Sequence, residues 1–372
     1  MAIIGVDLGA TNVRAAAVDL KTGRITSDVV KVALYGTKSR NIITRIMEVG
    51  HRVNNVSIDT ELALTIFTDS IKNIFSAIDE VKANVGNVQG IGIGSPGPLN
   101  PETGIIGPDE NALPPNLWGW NSVNLIEMIS QRYGVAAKVN GDVRIQAQGE
   151  HKYGAGKGLN TFLMLAPGTG CGAGIIEDGK LKNGGYHSAG EVWKIPVYRP
   201  ELGMHKTLHI PQIFDHYGAI EGVARILIEN VKAKYLKGVS HLQDGSTLHI
   251  DEMAKEHLTK LFPEVNAKNI ADAADANHNT YEYSSEAHTL AKRAFNDYGT
   301  TMGRVLSGPL AAMNAEALIL GGKGGLHLEL FKKPLEEALR GSIIYADKLE
   351  VKKATLDENQ IGIIGSASLF SD

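Results

Sequence analysis

The feature that most constrains this chain is a strand-turn-strand unit that occurs twice. The first copy is IIGVDLGATNVRAAAVDLKTGRI near the amino terminus, and the second is TFLMLAPGTGCGAGIIEDGKLKNGG in the middle of the chain. Each runs an apolar strand into a turn of small residues, Leu8-Gly9-Ala10-Thr11 in one and Pro167-Gly168-Thr169-Gly170 in the other. A second strand, a glycine-containing turn and a third strand follow in both. The shared order of elements, with small residues in equivalent places, implies an internal duplication. With helical segments between the strands, it specifies an α/β fold of two similar lobes. Glycine backbone lets N–H groups approach phosphate oxygens unobstructed, so two such lobes can face one cleft and hold a polyphosphate from both sides.

Between the repeats, Leu62, Ile66, Phe67, Ile71, Ile74, Phe75, Ile78 and Val81 recur at three- and four-residue spacings, which predicts a core-facing helix with Asp59 as its cap. VQGIGIGSPGPLN reads as a buried strand ending in a Pro-Gly loop, LIEMISQRYG as a helix and AAKVN as a strand. From 196 to about 269 the pattern turns irregular and polar, with His205, His209 and His216, and reads as an insertion or helical cap. Residues 284–313 read as helix, AEALILGGKGG as a strand entering a third glycine turn, and QIGIIGSASLF as a small-residue helix suited to close packing. The expected division is 1–138 with about 357–372 as a small lobe and 139–356 as a large one.

Composition removes several classes. A chain of 372 residues exceeds what one hydrophobic core organises, and 42 glycines against only 13 prolines is not a low-complexity excess. The 43% hydrophobic and 21% charged content describes a globular protein. A net charge of −4 without long runs of one sign argues against nucleic acid or an anionic membrane as the main partner. The single cysteine, Cys171, excludes an intramolecular disulfide and a zinc site built on several thiolates. An acid at position 7 does not suit a signal peptide, and no apolar run reaches membrane-helix length, so a cytoplasmic location is expected.

Neither GxxxxGK[ST] nor a GxGxxG at a strand-to-helix junction is present, so P-loop and Rossmann readings fail. One glycine turn alone is an ordinary hairpin; three, two of them in a duplicated unit, point to a nucleotide. The phosphate candidates are Asp7, Gly9, Thr11, Asn12, Gly168, Thr169 and Gly170, with Gly321 and Gly322 in the late turn. Asp7, closing the first strand, can orient a Mg²⁺ through water, since that ion takes one or two carboxylates with phosphate oxygens. It can equally serve as a turn-capping acid.

At this point the chain resembles the ROK family (repressors, open reading frames, kinases), sugar kinases of the actin/hexokinase superfamily. GVDLGATNVRAAAVD is similar to that family's first phosphate motif and LAPGTGCGAGIIEDGKL to its second. GIGIGSPGPLN and PPNLWGWNSVNL are similar to the sugar-side loops, SAGE to the sugar-binding glutamate segment, ALILGG to the adenosine motif and IIGSASL to the closing helix. The resemblance implies RNase H-like lobes of the actin/hexokinase-like ATPase fold around a central cleft. It also implies use of ATP and Mg²⁺ and a homodimer. It assigns the general base to Asp142, eight residues before Glu150 in VNGDVRIQAQGE, a position a helix N-cap would also suit. Sugar binding falls to Glu191, Asn116, Asp215 and the Gly97 loop.

The departures bear on substrate. Lys194 stands where the family has a histidine, and the family's cysteine-rich zinc segment is missing, so no structural zinc is expected. His205 and His209 read as surface histidines. Gly141 and Arg144 stand where asparagines flank the base. Lys194 and Arg144 add positive charge, which suits an anionic group on the substrate unless nearby acids pair with them. The reading is an ATP-dependent kinase acting on a hydroxyl of a hexose or hexose derivative, with sugar and ATP as its partners. The alternative is a catalytically silent sugar-binding or sensor protein of the same fold. A sugar-sensing repressor would carry a winged helix ahead of the first phosphate motif, for which six residues before Asp7 leave no room.

Overall fold

The structure, a computed structural model, describes residues 2–35, 60–107, 117, 119–197, 212–236, 246–275 and 282–371. The chain begins with β1 (Ala2–Leu8), β2 (Asn12–Asp19), β3 (Arg24–Ile25), β4 (Val30–Ala33), α1 (Thr60–Val85) and β5 (Val88–Ser95). It continues with β6 (Ile105–Ile106), β7 (Val123–Asn124), α2 (Leu125–Tyr133), β8 (Ala136–Gly141) and α3 (Asp142–Tyr153). The first sheet has the order β3-β2-β1-β5-β8, with β4 also paired to β2. β2 lies antiparallel to β1, whereas β5 and β8 run parallel to it.

Next come β9 (Phe162–Pro167), β10 (Cys171–Glu177) and β11 (Lys180–Leu181), then a 3₁₀ turn (Val192–Lys194), α4 (Asp215–Gly218), α5 (Gly222–Leu236), α6 (Ser246–Leu261) and α7 (Ala267–Ala274). The last elements are α8 (Ser285–Met313), β12 (Ala317–Leu320), α9 (Gly322–Leu326), α10 (Leu328–Arg340), β13 (Glu350–Lys353) and α11 (Ile361–Ser368). The second sheet, β11-β10-β9-β12-β13, repeats the first in its strand order. The duplication expected from the two glycine turns is therefore present in the topology.

Two compact units result. One comprises residues 1–160, 174–189 and 355–372, the other 161–173 and 190–354. In the first, Ile66, Ile71, Ile74, Ile78 and Val81 of α1 are buried in one cluster with Val6, Leu8 and Val13, as the periodicity predicts. The expected cap Asp59 lies outside the described residues. Asn124 caps α2 by accepting from the Glu127 N–H, and Gly134, at φ +67°, ends it. The third strand expected after the first copy's glycine-containing turn is two pieces, β3 and β4. Asp19 accepts from the Lys21 N–H and the Thr22 hydroxyl at the turn into β3, and the β2–β3 ladder ends after two residue pairs, where the Ala17 N–H donates to the Ser27 hydroxyl at 2.9 Å. The chain then comes back as β4, along the start of β2.

The closing helix α11 lies directly on the first sheet. A Cβ at Gly5 would stand 2.0 Å from the Ile363 carbonyl oxygen, one at Gly92 1.9 Å from that of Ser366, and one at Gly365 2.0 Å from that of Ile145. Backbone meets backbone at all three, so part of the glycine excess is the condition for this packing. In the second unit α8 also packs closely on α10, a Cβ at Gly299 falling 2.4 Å from the Phe331 carbonyl oxygen and one at Gly303 2.7 Å from Ala338 Cβ. Phe295, Tyr298 and Phe331 fill that crossing. The described part of the stretch from 196 to 269 is largely helical, in α4 to α7. No helix among the described residues is long and apolar enough to cross a membrane.

Candidate active site

In the first unit, register places the candidate residues at one edge. Asp7 of β1 pairs with Gly94 of β5, and Gly94 with Asn140 of β8. These three strands run parallel, so their carboxyl ends open on the same side, roughly 10 Å across two strand spacings. From that edge emerge the turn Gly9–Thr11, the loop containing Gly97 and the start of α3 at Asp142. Open α/β sheets bind ligands at this end of their parallel strands.

The first turn is shaped from within. Gly9 N–H donates to the Asn12 carbonyl at 3.0 Å, Asn12 Nδ2 to the Thr11 hydroxyl at 2.8 Å, and Leu34 N–H to the Thr11 carbonyl at 2.9 Å. The Thr11 side chain faces solvent. Asp7 lies opposite Arg14 in the β1–β2 ladder, with the guanidinium 3.5 Å from its carboxylate. Burial pushes the Asp7 carboxyl above the usual carboxylate range, and Arg14 draws it partly back. Arg14 was not among the sequence candidates. Its signal was there: Asp7 and Arg14 are equidistant from the centre of a tight turn, which sets opposite charges face to face.

Asp142 is the first residue of α3, partly exposed, and its Oδ1 accepts from the Val143 N–H at 2.8 Å. The cap position belongs to Gly141, not to Asp142, so the junction has no side-chain cap. Glu150, noted in the sequence only for its spacing, is fully buried. Its Oε1 accepts from the N–H groups of Thr355 and Leu356 at 3.0 and 2.8 Å, and its Oε2 from the Ala155 N–H at 2.5 Å and the Thr355 hydroxyl at 3.2 Å. It fastens α3 to the segment leading into α11. Arg144 is buried and donates from Nε to the Ala189 carbonyl at 3.0 Å.

The second unit repeats the pattern. Leu165 of β9 pairs with Leu320 of β12, and Leu320 with Lys353 of β13, all parallel. The turns Gly168–Gly170 and Gly321–Gly322 thus leave one sheet edge together. Gly168 N–H donates to the Gly170 carbonyl at 2.8 Å, and nothing lies within 4 Å of where a Gly168 Cβ would be. Thr169 is exposed. Gly322 adopts φ +57° and packs against the Pro167 carbonyl, a conformation that favours glycine.

Asp215 sits on this phosphate-type turn. Its Oδ1 accepts from the Cys171 N–H at 2.8 Å and lies 3.1 Å from where a Gly170 Cβ would be. Cys171 itself is buried, and burial with the neighbouring Asp215 pushes its thiol well up. Glu191 is exposed before the 3₁₀ turn and accepts from Trp193 Nε1, while the Lys194 ammonium lies 4.8 Å from the Trp193 ring centre. Asn116, His205 and His209 fall outside the described residues. Among the described residues no three His, Cys, Asp or Glu side chains are grouped so as to hold a metal ion.

Comparison with known proteins places this architecture. The model of the ROK family matches residues 3–201, and the chain belongs to the ROK family. The glucokinase of Halalkalibacterium halodurans is 27% identical over 282 residues, 75% of each chain. The xylose repressor of Caldicellulosiruptor bescii is 24% identical over 321 residues, 84% of this chain and 70% of that protein. A ROK family glucokinase from Streptomyces griseus, solved in complex with glucose and AMPPNP, superposes with a TM-score of 0.65 at 23% identity, covering 99% of both chains. The fold is that of these sugar kinases, the actin/hexokinase-like ATPase fold.

Proposed function

We propose that this chain is an ATP-dependent kinase that phosphorylates a hydroxyl of a hexose or hexose derivative, with Asp142 as general base. One observation carries the reading: the register Asp7–Gly94–Asn140, which gathers a phosphate-type turn, a loop and a helix-start carboxylate at one edge of the first sheet. Phosphoryl transfer is mainly a matter of positioning and charge neutralisation, so turns and carboxylates without a nucleophile suit it. Asp142 takes the proton of the acceptor hydroxyl as that oxygen bonds to the γ-phosphorus, and ADP departs with the bridging oxygen. In this reading the turns at Gly9–Asn12 and Gly168–Gly170 donate N–H groups to the phosphates, Thr11 and Thr169 add hydroxyls, and Gly321–Gly322 lines the adenosine. Glu191, Asp215, Lys194, Asn116 and the Gly97 loop serve the sugar. Asp215 has a second duty, since it also braces the turn at Cys171.

The residues fit Mg²⁺. The part-exposed Asp7 carboxylate and the exposed Thr11 hydroxyl are hard oxygen donors of the kind that ion takes beside phosphate oxygens and water. When bound, the ion neutralises charge on the phosphates.

The glucokinases among the relatives support this reading, and the repressor relative supports a second, a sugar-binding protein without turnover. Coupled ADP release over a panel of hexoses, amino sugars and sugar acids decides between them. Sugar-dependent ADP release with a phosphorylated product is the expected result. Measurable sugar binding without turnover on any member of the panel overturns the kinase.

A further inference from the structure

Two side chains flanking Asp142 reach the same loop. Asn140, two residues before it and 3% exposed, donates from Nδ2 to Asn183 Oδ1 at 2.9 Å, and its Oδ1 accepts from the Gly141 N–H at 2.8 Å. Arg144, two residues after it and 6% exposed, donates from Nε to the Ala189 carbonyl at 3.0 Å. Asn183 and Ala189 are the two ends of one loop, closed on itself by the Ala189 N–H on the Asn183 carbonyl at 3.0 Å. Within it His187 holds φ +55°. A non-glycine residue there costs on the order of 1 kcal/mol or more and keeps its conformation only where its surroundings fix it.

The Arg144 stem also covers the backbone beside the base. A Cβ at Gly141 would stand 3.5 Å from Arg144 Cδ and 3.6 Å from its Cγ. The Arg144 stem thus lies at van der Waals distance over position 141. The junction needs such a device because Gly141, at the cap, has no side chain to secure the start of α3.

We infer that Arg144 and Asn140 form a two-point clamp that fixes Asp142 against the loop 183–189, and that Arg144 is a positioning residue for the base. The inference rests on the kinase reading, in which Asp142 takes the hydroxyl proton. A base has to be held within a fraction of an ångström of its proton, and small misplacements cost orders of magnitude in rate. The Arg144 Nε is engaged by a protein carbonyl, so this donor serves the geometry of the base.

The test uses Arg144→Met, which keeps the stem over Gly141 and removes the donor, together with Asn140→Ala and the double variant. Each single change is expected to lower kcat roughly tenfold or more while KM for ATP stays within about twofold. The double variant is expected to lose little beyond the worse single, because both points hold one loop. Hydrogen exchange at the Ala189 and His187 amides is expected to quicken in all three. A folded Arg144→Met protein with wild-type kcat overturns the inference, as do losses that multiply in the double variant or unchanged exchange. A purely structural role would lower Tm and leave kcat per folded molecule intact, which also overturns it. If the wild-type protein phosphorylates no sugar while exchange responds as described, the kinase reading falls and the clamp on the loop remains.

Discussion

Gly362 lies directly against Asp7: a Cβ on residue 362 would stand 2.5 Å from Asp7 Cγ and 2.8 Å from both carboxylate oxygens. The start of α11 therefore sets where the Asp7 carboxylate sits. Alanine favours a helix by about 1 kcal/mol over glycine, so in this helical position Gly362→Ala gains propensity while displacing the acid. The expected outcome is a Tm within a few degrees of wild type and a kcat at least tenfold lower, read from thermal melts and steady-state kinetics. Wild-type kcat would show that the position of Asp7 is immaterial.

Asp7 also links activity to stability. Its pKa is raised by burial, with Arg14 as a partial offset. A raised carboxyl pKa means that ionisation is harder in the folded than in the unfolded chain. The contribution to stability is then full below the unfolded pKa and is lost as pH rises through the folded one. Asp7→Asn, neutral throughout, should melt higher than wild type at pH 7, with the gap closing as pH falls towards 4. Scanning calorimetry across that range checks the sign, and a gap that widens on acidification contradicts it.

Asp142→Asn keeps the size of the side chain and removes its basicity. The loss of a general base lowers kcat by roughly 10²–10⁴. Calorimetric titration should find nucleotide binding unchanged, since Asp142 is assigned to the acceptor hydroxyl and not to the phosphates.

Glu150→Gln tests the buried carboxylate. Each of its oxygens accepts two hydrogen bonds, so an amide nitrogen on either side turns a donor towards two donors. At roughly 1.5–3 kcal/mol per hydrogen bond to a charged group, the loss is about 3 kcal/mol or more. Urea unfolding measures it, and a shift below about 1 kcal/mol would show that the segment at Thr355 holds without this clasp.

Much of the architecture was legible because it depends on local pattern. Helix α1 follows from apolar residues at helical spacing, α2 from the helical pattern of LIEMISQRYG, and the duplication from two glycine turns with matching flanks. What escaped were consequences of pairing and packing. The two-piece form of the predicted third strand goes with the Ser27 hydroxyl taking the Ala17 N–H at the break, and residues 196–269 look irregular because their helices α5 and α6 carry only weakly amphipathic patterns. At the site, Asp7 could be picked out as a carboxylate closing a strand and Asp142 by resemblance to the ROK family, but not as neighbours along one sheet edge.

By itself the sequence determined the repeated unit, the three glycine turns and Asp7 at a strand end, since composition, spacing and periodicity are properties of the linear chain, while the resemblance to the ROK family marked Asp142, Glu191 and Asp215 and the departures at Gly141, Arg144 and Lys194. Only the tertiary structure decided that Asp7, Gly94 and Asn140 share one register, that Gly362 meets Asp7, and that Arg144 turns to Ala189. These are contacts between residues from 45 to more than 350 positions apart, and such contacts follow from strand pairing and close packing, which no local pattern encodes.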